Sequence, residues 1–433
     1  MLSAETIRNR IERSPPWVFN AWAVTAAFGT YFCMYGFRKP FAVGVYEGEV
    51  VLGVLGPLSF KALFVISQVI GYCTSKFLGI KVVSEMPAAK RAAAILVFIG
   101  IAELALVAFG LVPAPWNAVC LFFNGLPLGM IWGLVFSFME GRKTSDLLGA
   151  GLCASFIVAS GFVKSIGKML LDVVPEYWMA AATGGVFILP LLVFVAMLAV
   201  LPPPSAEDVE ERTAREPMDA DARKAFVAQH GPGLGLLVVG YVLLTAYRDL
   251  RDNFAREIWD ALGYADQPEI LTTAELPVAI GSLLMVALLV KVRSNQRALA
   301  LIHGAMVAGA LLVLGATGLY KMGFLDPATW MVSAGLGLYL GYVPFNCVLF
   351  DRLVAATKSV ATAAFLIYIA DAFGYLGSVG LMLYKDFGSP NLSWLDFFVT
   401  LSVIAPVVWG LFFAGAGLYF HRKIAPKSQL HAQ

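Results

Sequence analysis

Tyr35-Gly36-Phe37-Arg38-Lys39-Pro40-Phe41-Ala42 closes the first long apolar run of this 433-residue chain. Its core returns 213 positions later: Arg38-Lys39-Pro40-Phe41-Ala42 is matched by Arg251-Asp252-Asn253-Phe254-Ala255, with Arg, Phe and Ala in the same places. A cation at the far end of an apolar helix, used once in each half, implies a duplicated membrane protein. The rest of the chain is read outward from that match.

The chain is 59% hydrophobic and only 14% charged. Soluble domains carry about 25% charged residues, so this composition belongs in lipid. The formal net charge of +2 gathers in no basic patch, which argues against a nucleic-acid partner. Cys33, Cys73, Cys120, Cys153 and Cys347 all lie in apolar segments and lack the spacing of a metal or disulfide framework. The first 16 residues are polar and basic; the run after them is long enough to span and has no evident cleavage site, so it reads as a retained first helix.

A membrane-crossing helix needs about 20 mostly apolar residues. Charge-poor intervals give spans over 14–37, 50–75, two within 92–139 divided at Pro113-Ala114-Pro115, then 147–171 and 177–201. A second set follows at 234–254, 271–290, 298–320, 327–350, 359–384 and 397–420. The expected fold is an all-α membrane protein: twelve transmembrane helices in two six-helix pseudo-symmetric lobes, 1–201 and 234–433. A hydrophilic cytoplasmic linker over 202–233 joins them, opening with Pro202-Pro203-Pro204 and crowded with acids and bases. Placing both termini in the cytoplasm puts 21 of the 31 Lys and Arg residues inside, as the positive-inside rule requires. The expected location is the plasma (bacterial inner) membrane, as a monomer.

The repeat runs in one sense. Ile70-Gly71 with Lys81 to Ser84 aligns on Ile280-Gly281 with Lys291 to Ser294, and Gly125-Leu126-Pro127-Leu128 on Gly335-Leu336-Gly337-Leu338, both at an offset of 210. Two six-helix halves repeated in parallel resemble the lobes of the major facilitator superfamily, the major facilitator fold. Within it, Arg38-Lys39-Pro40-Phe41-Ala42 looks like the first-helix arginine motif of the organic-phosphate:phosphate antiporters. Phe373-Gly374-Tyr375-Leu376-Gly377, preceded by Lys358 and Thr362-Ala363-Ala364, also resembles that branch. The resemblance implies a phosphate grip by one arginine from helix one, here Arg38, and one from helix seven, either Arg248 or Arg251. Where that branch has a second-helix lysine this chain has Ser67 or Gln68, and Ser75-Lys76 stands where the branch has an Asp-Arg pair.

A charge near the bilayer centre costs roughly 2.5–3.5 kcal/mol on insertion scales and therefore usually has a task. Arg38 offers a guanidinium fork to an anion; its alternative is a helix-end arginine reaching the interface. Arg248 and Arg251 stand among Asp249, Asp252 and Glu257, so they form either a second clamp or salt-bridged helix ends. Neutralised arginines lose much of their pull on anions. Lys164, in the outer half of span five with Lys168 a turn later, can take the place of the absent second-helix lysine or pair with an acid. Tyr35 and Tyr375 are candidate cavity aromatics. Asp371, near the middle of span eleven, is a candidate for proton coupling or cavity tuning, or a structural ion pair. Glu103 and His303 read as packing groups. Glu140, Arg142, Asp351 and Arg352 close spans four and ten and resemble gating latches.

No phosphate loop, zinc motif or paired-cysteine site is present, so no cofactor, metal or enzymatic activity is expected. The expected activity is secondary transport of a small organic anion by alternating access, with a phosphate ester exchanged for phosphate as one form. The rivals are a proton-coupled symporter of a neutral or amphiphilic solute and a transport-like membrane sensor. The expected partners are the lipid bilayer and the solute.

Overall fold

The structure, a computed structural model, describes residues 4–51, 53, 56–139, 145–203, 220–357 and 363–424. A short helix, α1 (Ala4–Glu12), precedes the first half. Its spans are α2 (Pro16–Gly36), α3 (Phe60–Ser84), α4 (Ala88–Leu111), α5 (Ala118–Leu128) with α6 (Ile131–Phe136), α7 (Ser145–Leu170) and α8 (Glu176–Ala199). The second half has α9 (Ala220–Asn253), the short α10 (Ala255–Trp259), α11 (Ile270–Thr273) running into α12 (Glu275–Val290), α13 (Asn295–Lys321), α14 (Pro327–Cys347) bent by 55° into α15 (Leu349–Thr357), α16 (Ala363–Leu383) and α17 (Trp394–Ile424). Among the described residues ten helices are long and apolar enough to cross a membrane, eleven with the bent pair. The uncharged, 21-residue α2, less apolar because of Asn20, Thr25, Thr30 and its tyrosines, completes twelve.

Three boundaries depart from the sequence reading. Span two starts ten residues later than expected, at Phe60, because Glu49–Val51 (β1) and Pro57–Ser59 (β2) pair as an antiparallel hairpin. Gly48, Gly53 and Gly56 take positive φ there, which a helix excludes, and Ser59 then caps α3 by accepting from Ala62 N at 3.3 Å. The linker expected over 202–233 also ends early, since α9 is already helical at Ala220. Phe226 and His230 of that extension pack on each other, and His230 on Phe420, which gives the added turns an apolar footing. Finally, Pro344 lacks the N–H that would bond one turn back, and α14 breaks three residues later at Cys347.

Close helix packing rests on glycine. A Cβ at Gly71 would lie 2.2 Å from the Phe122 carbonyl oxygen, and one at Gly125 2.2 Å from that of Gln68, so α3 and α5 meet backbone to backbone. Gly309 and Gly337 do the same for α13 and α14.

The chain divides into two compact units. The first comprises 1–213, 250–276 and 379–395; the second comprises 214–249, 277–378 and 396–433. The first unit therefore holds, besides the six spans of the first half, the end of α9 with the segment up to Leu276, and the turn between α16 and α17.

Candidate functional site

In the first unit a cluster of charged groups gathers toward the ends of α2, α7 and α9. There α2 stops at Gly36, and Phe37 to Lys39 turn into a 3-10 turn over Pro40–Val43. Pro40 has no N–H to continue the helix, so carbonyls at the end of α2 need other donors. Side-chain amides provide them: Asn124 Nδ2 donates to Phe37 O at 2.9 Å and Gln68 Nε2 to Arg38 O at 2.8 Å. The two amides also bond each other at 2.7 Å, and both side chains are buried. Arg38 leaves this turn to lie over the Tyr72 ring, its guanidinium carbon 3.6 Å from the centroid, with Tyr35 at 5.9 Å.

Lys39 leaves in another direction. Its Nζ stands 2.5 Å from Asp252 Oδ2 and donates to Asn253 Oδ1 at 2.8 Å. Lys164 of α7 donates to Asp252 Oδ1 at 2.7 Å and to its backbone oxygen at 2.8 Å, and Ser160 Oγ donates to Oδ1 as well. Lys39 and Lys164 are each 3% exposed. Two buried ammonium groups thus converge on one carboxylate. Further pairs flank this centre: Lys61 with Glu257, Arg251 with Glu275 at 2.7 Å, and Lys168 with Asp260 at 2.6 Å, which Arg256 also reaches at 3.3 Å. Arg256 additionally donates to Val43 O, and Ser165 Oγ bonds Pro268 O at 2.8 Å. A Cβ at Gly161 would lie 2.0 Å from Leu271 O, so the 250–276 segment sits directly on α7.

The second unit has its own cluster. Arg248 is held by its neighbour Asp249, Nη2 to Oδ1 at 2.5 Å, and donates to the Tyr342 hydroxyl. Its guanidinium carbon is 4.6 Å from the Tyr342 ring and 5.7 Å from that of Tyr375. Asp371 Oδ1 accepts from Tyr241 OH at 2.7 Å, and Tyr241 stacks on Tyr342 at 5.3 Å. Asn346 Nδ2 reaches the same Tyr241 oxygen at 3.4 Å.

The structure brings Arg38 to Tyr35, and Arg248 to Tyr375. It gives Lys164, Arg248 and Arg251 a carboxylate each, and not a common one: Asp252, Asp249 and Glu275. Arg248 and Arg251 each sit in a salt bridge, one of the two arrangements the sequence left open. Of the gating candidates, Glu140 and Arg142 lie outside the described residues. Asp351 is on α15, and Arg352 donates to Asn295 Oδ1 at 2.8 Å. His303 packs in the core, its Nδ1 at 2.8 Å from Leu299 O. Lys39 and Ser160 were not among the residues the sequence singled out, and Asp252 was noted only as an acid beside the span-seven arginines, although Lys39 and Asp252 sit inside the quoted repeat. Among the described residues no His, Cys, Asp and Glu cluster could hold a metal ion.

Residues 40–423 match the model of a family of unknown function, DUF5690. No curated protein matches the sequence. Solved structures do: a D-xylose-proton symporter with a TM-score of 0.60 at 16% identity, covering 95% of this chain and 98% of that one. A bacterial homologue of the human drug peptide transporters PepT1 and PepT2 matches with a TM-score of 0.59 at 15% identity, over 94% of this chain and 100% of that one. A mutant of the nucleoside transporter NupG gives 0.57 at 12%, over 93% and 99%. These likenesses extend over nearly the full length of each chain and establish a shared fold. The chain belongs to the family of unknown function DUF5690, and its fold is that of the major facilitator transporters.

Proposed function

We propose that the protein is a secondary transporter that moves a small organic anion by alternating access. One observation carries this reading: Lys39, in the turn after span one, and Lys164 of span five are buried around a single carboxylate, that of Asp252 at the end of span seven. Stripping the counter-ion from a buried lysine costs several kcal/mol. If the 250–276 segment withdraws from α7, the two ammonium groups lose their partner and meet water. An anion from solution then substitutes for Asp252, and closure without either is opposed. By the Lys/Arg bias this end of the unit is the outer one. Arg38, the residue before Lys39 in sequence, supplies a further cation for the cargo from its place over Tyr72. Exchange of a phosphate ester for phosphate is one form of this activity. The test is counterflow in proteoliposomes: labelled anion should exchange against internal anion, and Lys39→Gln and Lys164→Gln should each reduce the exchange at least tenfold. Unaltered flux in both variants would sink this reading.

A second reading rests on the other unit. Asp371 is a buried carboxylate within a span, bonded to Tyr241, while Arg248 already has Asp249. That pattern suits a proton-coupled symporter of a neutral solute, with Asp371 as the proton acceptor. Uptake that requires a proton gradient and is indifferent to Lys39 and Lys164 would favour it.

A further inference from the structure

Asp252 can be read as a ligand that happens to be covalently attached. Its carboxylate is gripped on both oxygens: Lys39 on Oδ2 at 2.5 Å, and Lys164 at 2.7 Å together with Ser160 on Oδ1. All three donors come from the first half of the chain and are buried, and the acceptor comes from the 250–276 segment. A lysine ammonium is a compact charge on a flexible stem that takes carboxylate or phosphate oxygens, so the choice of ligand lies with the groups around it. The second contact of each lysine narrows the ligand further. Lys164 also takes the backbone oxygen of Asp252 at 2.8 Å, and Lys39 the side-chain oxygen of Asn253 at 2.8 Å. The backbone carbonyl carbon of an aspartate is separated from its carboxylate carbon by two carbons. The two carboxyl carbons of succinate are separated by the same number.

We propose that Lys39, Lys164 and Ser160 form a carboxylate-binding site, that Asp252 is its resident occupant, and that the cargo is an organic acid whose carboxylate replaces it. Short dicarboxylates fit best, because a second oxygen two carbons away meets the donor that now holds the Asp252 backbone. That the displacing acid is cargo rests on the reading of the protein as an anion transporter. The site itself is independent of flux.

Chemical rescue tests it. Asp252→Ala empties the site and leaves the three donors. The purified full-length variant is heated in detergent with sodium formate or acetate, and with sodium chloride or phosphate at matched ionic strength. Formate and acetate, which fill the space of the lost carboxyl, should raise the midpoint of Asp252→Ala by about 3 °C, saturably. The backbone oxygen of residue 252 still holds Lys164 in this variant, so the preference for succinate is read in wild-type counterflow, where succinate should exchange faster than acetate. Chloride should not, the wild type should respond little, and Lys39→Gln added to Asp252→Ala should remove the response. Should Asp252→Ala fail to fold, Asp252→Asn keeps the volume, loses the charge and is read in the same way. Equal responses to phosphate, chloride and carboxylates, or a response that survives Lys39→Gln, would overturn the site. Rescue without exchange in proteoliposomes leaves the site standing and removes the transport reading. Exchange without rescue does the reverse.

Discussion

Lys39 and Asp252 hold the same position in the two copies of the repeat, and they are bonded to each other at 2.5 Å. Their neighbours, Arg38 and Arg251, also equivalent, part company: Arg38 lies over Tyr72 and Arg251 pairs with Glu275. The central contact of the first unit is therefore between positions where the two copies differ.

That contact predicts an asymmetric mutational response. Asp252→Asn leaves two buried ammonium groups without their carboxylate, and should cost about 3 kcal/mol. Lys39→Met removes one donor, keeps Lys164 on Asp252, and should cost less. Exchanging the charges, Lys39→Asp with Asp252→Lys, should not recover the loss, because Lys164 would then face a lysine. Midpoints of thermal unfolding in detergent for the three variants check the order.

Arg38 should not tolerate lysine. Its planar guanidinium lies on Tyr72, and an ammonium group cannot stack in that way. Arg38→Lys should lower anion exchange by about tenfold, on the order of 1–2 kcal/mol, while Tyr72→Phe, which keeps the ring, should stay within about threefold. Tyr72→Leu should resemble Arg38→Lys. Initial rates of counterflow over a range of anion concentrations separate weaker binding from slower turnover.

Asp371→Asn distinguishes the two functional readings. An anion exchanger should keep its counterflow within about twofold in this variant, because Asp371 belongs to the other cluster with Tyr241. A proton symporter should lose accumulation driven by an imposed pH gradient and keep counterflow.

Packing predicts that Gly71→Ala and Gly125→Ala are poorly tolerated. Each added methyl would meet a backbone oxygen at 2.2 Å, and neither backbone can retreat without separating α3 from α5. Overpacking of this kind costs about 1–3 kcal/mol. Gly185→Ala, where nothing lies near the new carbon, is the control. The fraction of monodisperse protein after detergent extraction should fall for the first two and not for the third.

Acid should weaken one cap outside the spans. Asp326 accepts from Thr329 N at 3.0 Å at the start of α14, and these hydrogen bonds hold its carboxyl below its ordinary value. The contribution is present above the unfolded carboxyl's pKa and fades as pH falls through the lowered one. Asp326→Ala should remove that acid-dependent part of the unfolding midpoint, measured from pH 7 down to pH 3.

The twelve spans were legible because a bilayer imposes a length that charge-poor intervals either meet or miss. The hairpin before α3 was not, since Val50 and Val51 are as apolar as a span; only the glycines at 48, 53 and 56 signal the turn. Arg38 and Lys164 could be picked out as charges deep within apolar runs. The bond of Lys39 to Asp252 could not, because a repeat is found by what its copies share, and an ion pair between equivalent positions is made of what they do not. Lys39 was thus passed over inside the motif that placed it, and Asp252 was matched to the neighbouring arginines instead. Gln68, noted as the replacement for a lysine, proved to be a donor to the Arg38 backbone.

The pairing of Lys39 with Asp252 also bears on descent. Two identical copies carrying either present residue would set lysine against lysine or aspartate against aspartate at this position, and like charges resist being buried together. This closure therefore requires the two copies to differ here, and no exactly symmetric duplicate can make it.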